Sequence, residues 1–140
     1  MKKVTILFVI LISLLMYGFT KRPQKTEYER VEGLRPISRP LSGAEIFSDE
    51  TAYASWHMGR SLIKKDTGFD YSGNSLLAVW LGKPQKGECI AVDSVDMSGE
   101  TVDVAARIAE CSDVWTTTYI YYKLPVTDKK PRLLLKERER

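Results

Sequence analysis

Residues Phe69 to Val104 read FDYSGNSLLAVWLGKPQKGECIAVDSVDMSGETVDV and give the strongest indication of the fold. Apolar runs of strand length alternate in it with turn residues, at Gly73-Asn74, Gly82-Lys83-Pro84, Gly87 and Ser98-Gly99. Short runs rich in Val, Ile and aromatic residues between such breaks are typical of β-strands. Because the stretch carries no set of catalytic side chains, we expect function to lie on the loops of a small β scaffold.

The segments on either side extend the same pattern. A short helix is expected over residues 49 to 59, since Ser48, Asp49 and Glu50 provide a capping side chain and acidic residues in the first turn. Ser75–Leu81 is nearly all apolar, which is typical of a central strand covered on both faces. The sequence predicts a mainly β domain, an antiparallel sheet, sandwich or partly open barrel, with one short helix and six strands: 44–47, 75–81, 87–96, 101–111, 115–124 and 133–135.

The alternation of side chains also predicts how one hairpin pairs. Placing Ile90 opposite Ile108 puts the apolar sets of both strands on one face and leaves residues 98 to 100 as the turn, with Gly99 at positive φ. In this register Cys89 faces Ala109, and Cys111 is its diagonal neighbour. Diagonal Cα separations of about 7–8 Å are slightly long for a disulfide, so a bulge is needed to close the gap. A disulfide and two free thiols both remain open at this point.

The N-terminus has the layout of an export segment. Lys2 and Lys3 precede the largely apolar run Val4–Phe19, which Lys21 and Arg22 follow. A basic start and a short apolar core are typical of a secretory signal, while an uncleaved segment would stay as a membrane anchor. We therefore expect a signal peptide or anchor at residues 1–22, a polar linker at 23–40 and a domain at 41–140. The protein is then extracytoplasmic, either secreted or tethered to the membrane by residues 4–20.

The charge distribution excludes one class of partner. Residues 23 to 140 hold 17 basic and 18 acidic side chains, a net charge of −1, so the overall charge of +3 belongs to the export segment. Nucleic-acid binding requires a basic surface over phosphates, which this balance does not favour. Membrane contact is expected only through the N-terminal segment.

No arrangement of residues in the sequence favours catalysis. The single histidine, His57, falls at the end of the predicted helix, apart from both cysteines. A cysteine nucleophile needs a nearby base, and a zinc site needs four clustered ligands. Strand alternation explains the acidic residues of the hairpin as its solvated face. We therefore expect no enzyme activity, no cofactor and no metal site.

Two groups of residues are the candidates for protein binding. Lys83, Pro84, Gln85 and Lys86 form a basic turn that is stiff at proline and flanked by glycines, which suits a recognition loop. The turn is loosely similar in sequence to the protruding NPTTGY loop of chagasin-like protease inhibitors. The second group is Tyr119 and Tyr121, which are either core residues or part of a flat surface for a partner.

Three segments carry a resemblance to a known family. Phe69–Gly82, Lys83–Ile90 and Tyr119–Val126 follow the patterns FDYSxxxLLAVWLG, KPxxGxxI and YIYYKLPV. In these segments, and over residues 41 to 137 as a whole, the chain resembles the C-terminal domain of PrcB-type proteins, accessory subunits of a surface protease complex. The resemblance implies a non-enzymatic domain that binds another extracytoplasmic protein, an exported protease, and assists its assembly or stability. A chagasin-like inhibitor acting through residues 82–87 is the alternative.

Overall fold

The computed structural model describes residues 27 to 58, 68 to 111 and 118 to 137. Within these ranges the fold is mainly β, as predicted, with two packed sheets, no closed barrel and a single short helix. The elements are β1 (Glu29–Val31), β2 (Gly43–Phe47), α1 (Glu50–Met58), β3 (Asn74–Trp80), β4 (Glu88–Asp96), β5 (Val102–Glu110), β6 (Tyr119–Pro125) and β7 (Pro131–Lys136).

The first sheet is antiparallel and has the order β1-β6-β3-β2. Its central strand β3 is buried from Ser75 to Trp80. Leu77 and Val79 face the second sheet, whereas Leu76 and Trp80 face the helix side. This confirms that β3 is covered on both faces, which explains why its sequence is a continuous apolar run instead of an alternating one.

The second sheet has the order β4-β5-β7 and packs on one face of the first. β4 and β5 form an antiparallel hairpin, while β7 runs parallel to β5. Val102, Val104 and Ala106 of β5 are almost fully buried between the sheets. The expected pairing of Ile90 with Ile108 and of Cys89 with Ala109 is confirmed.

A bulge at Asp93 changes the predicted hairpin turn. The register shifts between Val92 and Ser94, so Val95 instead of Ser94 is buried. The cause is visible in the sequence, because the apolar residue after Val92 comes three positions later and only an extra residue brings it inward. The turn therefore lies between the paired residues Asp96 and Asp103. The prediction of positive φ at Gly99 is wrong, since the positive-φ glycines of the described residues are at 33, 73 and 87.

The helix α1 closes the other face of the first sheet. Its N-terminus is capped by Asp49, whose Oδ1 accepts a hydrogen bond from the N–H of Ala52 over 2.8 Å. Tyr53 is buried, and its ring packs edge-on against Phe47 with centroids 5.5 Å apart. The predicted helix is therefore confirmed as far as Met58, and residue 59 lies outside the described residues.

The segment from residue 27 to residue 40 belongs to the folded domain, which differs from the expected linker. β1 pairs with β6, with Arg30 opposite Tyr122. Leu34 and Ile37 are buried, at 9% and 5% exposure, in the cluster beneath α1. Two prolines and several charges give the segment the composition of a spacer, but it also supplies these two apolar side chains to the core, and their burial favours the folded position.

Several predictions fall outside the described residues. These include the export segment, the first residues of the linker, and the part of the fifth predicted strand at 115–117. Among the described residues, no helix is both long enough and apolar enough to cross a membrane.

Candidate functional site

The predicted recognition loop, residues 82 to 87, connects β3 to β4 and is attached to the scaffold at both ends. At its start the N–H of Gly82 donates a 2.9 Å hydrogen bond to Ser42 Oγ. At its end the N–H of Cys111 donates to the carbonyl oxygen of Gly87 over 2.8 Å. Both anchors join the loop to a neighbouring segment of the domain, so its base cannot shift independently of the sheets.

The loop is also closed on itself. The N–H of Gln85 donates to Glu88 Oε2 over 2.7 Å, and the N–H of Glu88 donates back to the carbonyl oxygen of Gln85 over 3.0 Å. Lys83 has a φ of 46° and Gly87 a φ of 85°, so both lie in the left-handed region. A lysine rarely adopts that region without surrounding structure that holds it there. The loop therefore has one shape defined by its own hydrogen bonds.

The tip of the loop is exposed to solvent. Lys83, Pro84, Gln85 and Lys86 are all exposed. Within the described ranges, no ion pair joins either lysine to a carboxylate. Two ammonium groups and a proline ring are thus presented outward from a fixed backbone, an arrangement that can bind carboxylates and an apolar surface at once.

A disulfide joins Cys89 to Cys111 directly beside this loop. Their Cα atoms are 5.9 Å apart, within the range that a disulfide requires. The bulge that seemed necessary for this bond lies elsewhere, at Asp93. Cys111 follows the last residue of β5, and its N–H bonds to Gly87, which brings the end of β5 close to the start of β4. The disulfide therefore holds the start of β4, the strand that follows the loop, to the end of β5.

The two candidate tyrosines lie in different environments. Tyr121 is 2% exposed, and its hydroxyl donates to the carbonyl oxygen of Arg35 over 2.8 Å. The same hydroxyl lies 2.7 Å from His57 Nε2. Tyr119 is half-buried and sits opposite Trp80, at the end of β3 from which the loop departs. The structure therefore places Tyr119 near the loop and Tyr121 in the core under α1.

His57 lies within an aromatic cluster. Its ring is 4.7 Å from that of Tyr53 and 5.0 Å from that of Trp56, measured between centroids. Trp56 in turn lies 5.1 Å from Trp80. Edge-on and tilted ring contacts of this kind stabilise a core beyond the area that they bury. The cluster fixes Trp80. Through the hydrogen bond from Trp80 to Leu41, it also fixes the segment that contacts the start of the loop.

An open cavity of about 920 Å³ lies at the opposite end of the first sheet. Tyr28 and Lys123 line it together with Asn74 and Pro125, which pair at the start of β3. The ammonium group of Lys123 is 3.2 Å from a carboxylate oxygen of Glu29 on the rim. Because the loop leaves the other end of β3, this cavity and the loop are separate surfaces.

Two residues were not singled out from the sequence, Leu41 beside the loop and Arg39 two positions before it. Leu41 is 77% exposed, although its backbone touches that of Gly82. The guanidinium carbon of Arg39 lies 3.9 Å from the centre of the Trp56 ring. Both residues fall in or beside the segment expected to be a linker. A leucine between Pro40 and Ser42 was the available signal, but nothing local indicates its neighbour in space.

Comparison with known proteins does not assign the chain to a family. No protein-family model, no curated protein and no solved structure matches it. The resemblance to the PrcB C-terminal domain therefore stays a prediction, and the site is interpreted from its own geometry.

Proposed function

We propose that this chain is a non-enzymatic, extracytoplasmic domain that binds another protein through the loop at residues 82 to 87. The observation that carries the proposal is the exposed, doubly basic tip of a loop whose backbone is held at both ends. A loop that is already in one conformation loses little entropy when it binds, which favours affinity. Loops on a stiff scaffold are a common location for recognition.

The location outside the cytoplasm has two independent supports. The first is the basic and apolar layout of residues 2 to 22, which is typical of an export segment. The second is the disulfide between Cys89 and Cys111, a bond that persists mainly in oxidising compartments. The resemblance to the PrcB C-terminal domain suggests an exported protease as the partner, with this chain assisting its assembly or stability.

Affinity capture from the cell envelope tests the proposal. The tagged full-length protein is compared with a Pro84→Ala/Lys86→Gln variant and with a matched control, Lys130→Gln, which changes an exposed lysine far along the chain. We expect the wild type and the control to retain the same protein, and the loop variant to retain much less. Repeated capture without any specific protein, or equal capture by all three chains, counts against the proposal.

A protease inhibitor is the second candidate, favoured by the fixed shape of the loop. Protease–inhibitor complexes typically form with little backbone movement at the interface, and the Gln85–Glu88 hydrogen bonds hold this loop before any partner arrives. Titration of the purified protein against cysteine and serine proteases distinguishes the two functions. Inhibition that disappears in Pro84→Ala/Lys86→Gln would support the inhibitor, whereas undiminished protease activity at saturating protein would exclude it for the proteases used.

A further inference from the structure

An exposed leucine is fixed beside the recognition loop. Leu41 is 77% exposed, more than the other exposed large apolar side chains of the described residues, Val126 at 64% and Leu134 at 46%. Its carbonyl oxygen accepts a 2.7 Å hydrogen bond from Trp80 Nε1. A Cβ placed on Gly82 would lie 2.6 Å from the Leu41 Cα, so the two backbones are in direct contact. The backbone at Leu41 and the start of the loop therefore lie against each other.

The two segments whose backbones meet at Leu41 and Gly82 are rich in basic residues. The segments at 35–42 and 82–88 together hold four basic residues and one acidic residue, Glu88. The Glu88 carboxylate is engaged with the main chain of the loop through Gln85. Arg39 is held over Trp56, where Nη2 also donates to the Trp56 carbonyl oxygen over 2.6 Å. These two segments therefore carry more positive than negative charge, and the Arg39 side chain is held in position.

We propose that these residues form a single binding surface, the Leu41 patch, made of Arg39, Leu41, Lys83, Pro84 and Lys86. Its occupant is an extended acidic segment of the partner protein, which packs an apolar side chain on Leu41 and sets carboxylates against the lysines. The inference rests on the proposed function and adds the chemistry of the partner to it. Complementary charge gives specificity and a fast approach, while a central apolar contact supplies most of the affinity.

The same surface is poorly suited to an anionic membrane. Lipid-binding basic clusters usually hold about four to eight lysines and arginines, whereas the Leu41 patch has three and lies beside Glu88. The exported part of the chain also has a net charge of −1. A protein segment can place one apolar side chain on the leucine and one carboxylate on each cation. The small number of cations therefore favours a protein segment over a lipid surface.

Selection from a phage-displayed library of random peptides on the full-length protein tests this inference. We expect the enriched peptides to carry Asp or Glu beside an aliphatic or aromatic residue. Leu41→Ala should weaken a synthetic copy of such a peptide about fivefold or more, as expected for a central contact. Lys83→Gln and Lys86→Gln should each weaken it as well, by a factor that shrinks at high salt. Leu134→Ala and Lys130→Gln are the matched controls and should leave the affinity unchanged.

Each other outcome overturns the inference in a recognisable way. Enriched peptides without carboxylates, or peptides insensitive to Leu41→Ala, show that the patch does not act as one acidic-peptide site. If only the lysine variants lose binding, the loop acts alone and the proposed function still holds. Binding to phosphatidylglycerol vesicles that the patch variants lose, with no peptide enriched, indicates a membrane surface instead. If neither probe binds, the inference fails, and envelope capture decides the proposed function separately.

Discussion

The indole Nε1 of Trp80 donates a hydrogen bond to the main-chain oxygen of Leu41 over 2.7 Å. This contact joins the central strand of the first sheet to the residue directly after the segment expected to be a linker. One residue further on, Ser42 Oγ accepts from the N–H of Gly82. The aromatic cluster under α1 therefore positions both halves of the Leu41 patch, and a change in the core beneath it should alter the surface.

The close contact at Gly82 gives the first prediction. A Cβ at this position would lie 2.3 Å from the carbonyl carbon and 2.5 Å from the nitrogen of the Leu41-Ser42 peptide bond. These are backbone atoms that cannot rotate away, so Gly82→Ala must displace either the loop or the 41–42 segment. We expect it to lower the free energy of unfolding by about 1–3 kcal/mol, the usual cost of overpacking. Urea titration of the oxidised protein measures the effect.

Gly99→Ala is the matched control for this substitution. Gly99 has a negative or extended φ, and a Cβ there meets no atom within 4 Å. Its effect on the free energy of unfolding should stay within about 0.5 kcal/mol. Equal effects of the two substitutions would contradict the backbone contact between residues 41 and 82.

The disulfide gives the second prediction. Cys89 and Cys111 are 22 positions apart, and closing a loop of that length removes entropy from the unfolded chain. Replacing both by alanine should lower the free energy of unfolding by about 2–4 kcal/mol, and reduction of the wild type should have a similar effect. Urea titration with and without dithiothreitol measures the difference. Thiol alkylation followed by mass spectrometry provides the control, and a chain that is fully reduced yet equally stable would contradict the prediction.

How far the sequence determines this fold is clearest from β3, β4 and β5. The apolar run 75–81 predicts a central strand, and alternation on both sides of residue 99 predicts the Ile90–Ile108 register, because burial and pleating act locally. The bulge was readable in principle from the spacing between Val92 and Val95. It was missed because an ideal two-residue period was extended through Asp93.

The rest of the candidate site depends on contacts between distant segments. The loop was identifiable from its proline, lysines and glycines, since turn chemistry is local. Leu41 was not, because its significance comes from Trp80 and Gly82, which follow it by about forty residues. The same reason applies to Tyr121, whose hydroxyl contacts Arg35 and His57, residues that lie far from it in the sequence. The alternation of residues along the chain predicts the strands well, but it does not show which loop covers which face of a sheet.

The pairing of Asp103 with Arg132 gives a pH-dependent prediction. The guanidinium of Arg132 binds both carboxylate oxygens, with Nε 2.9 Å from Oδ1, and it is the main cause that lowers the pKa of Asp103 below the ordinary value of 3.8. A lowered pKa in the folded state stabilises the fold above pH 3.8, and that contribution is lost as the pH falls through the lowered pKa. We therefore expect the urea midpoint of the wild type to fall more steeply than that of Asp103→Asn between about pH 4 and pH 2.

The acid titration needs a control variant and must take account of a second carboxyl group whose pKa is lowered. Asp128→Asn is the control, since Asp128 is exposed and forms no ion pair with any described residue. The hydrogen bond from the main-chain N–H of Ser98 also lowers the pKa of Asp96, so Asp103→Asn should remove only part of the acid sensitivity. High salt should weaken the Asp103 contribution because the pair is partly exposed. Identical acid profiles for the wild type and Asp103→Asn at low salt would contradict the prediction.

The burial of Ile37 gives the last prediction and tests whether the supposed linker is part of the domain. Ile37 is 5% exposed and packs in the cluster that also contains Phe47 and Tyr121. Ile37→Ala removes buried methyl groups and leaves a cavity, so the free energy of unfolding should fall by about 2–5 kcal/mol. Val126→Ala shortens a side chain that is 64% exposed and should change it by no more than about 0.5 kcal/mol. Urea titration of both variants decides between the two descriptions, because a segment acting only as a spacer would tolerate Ile37→Ala as easily as Val126→Ala.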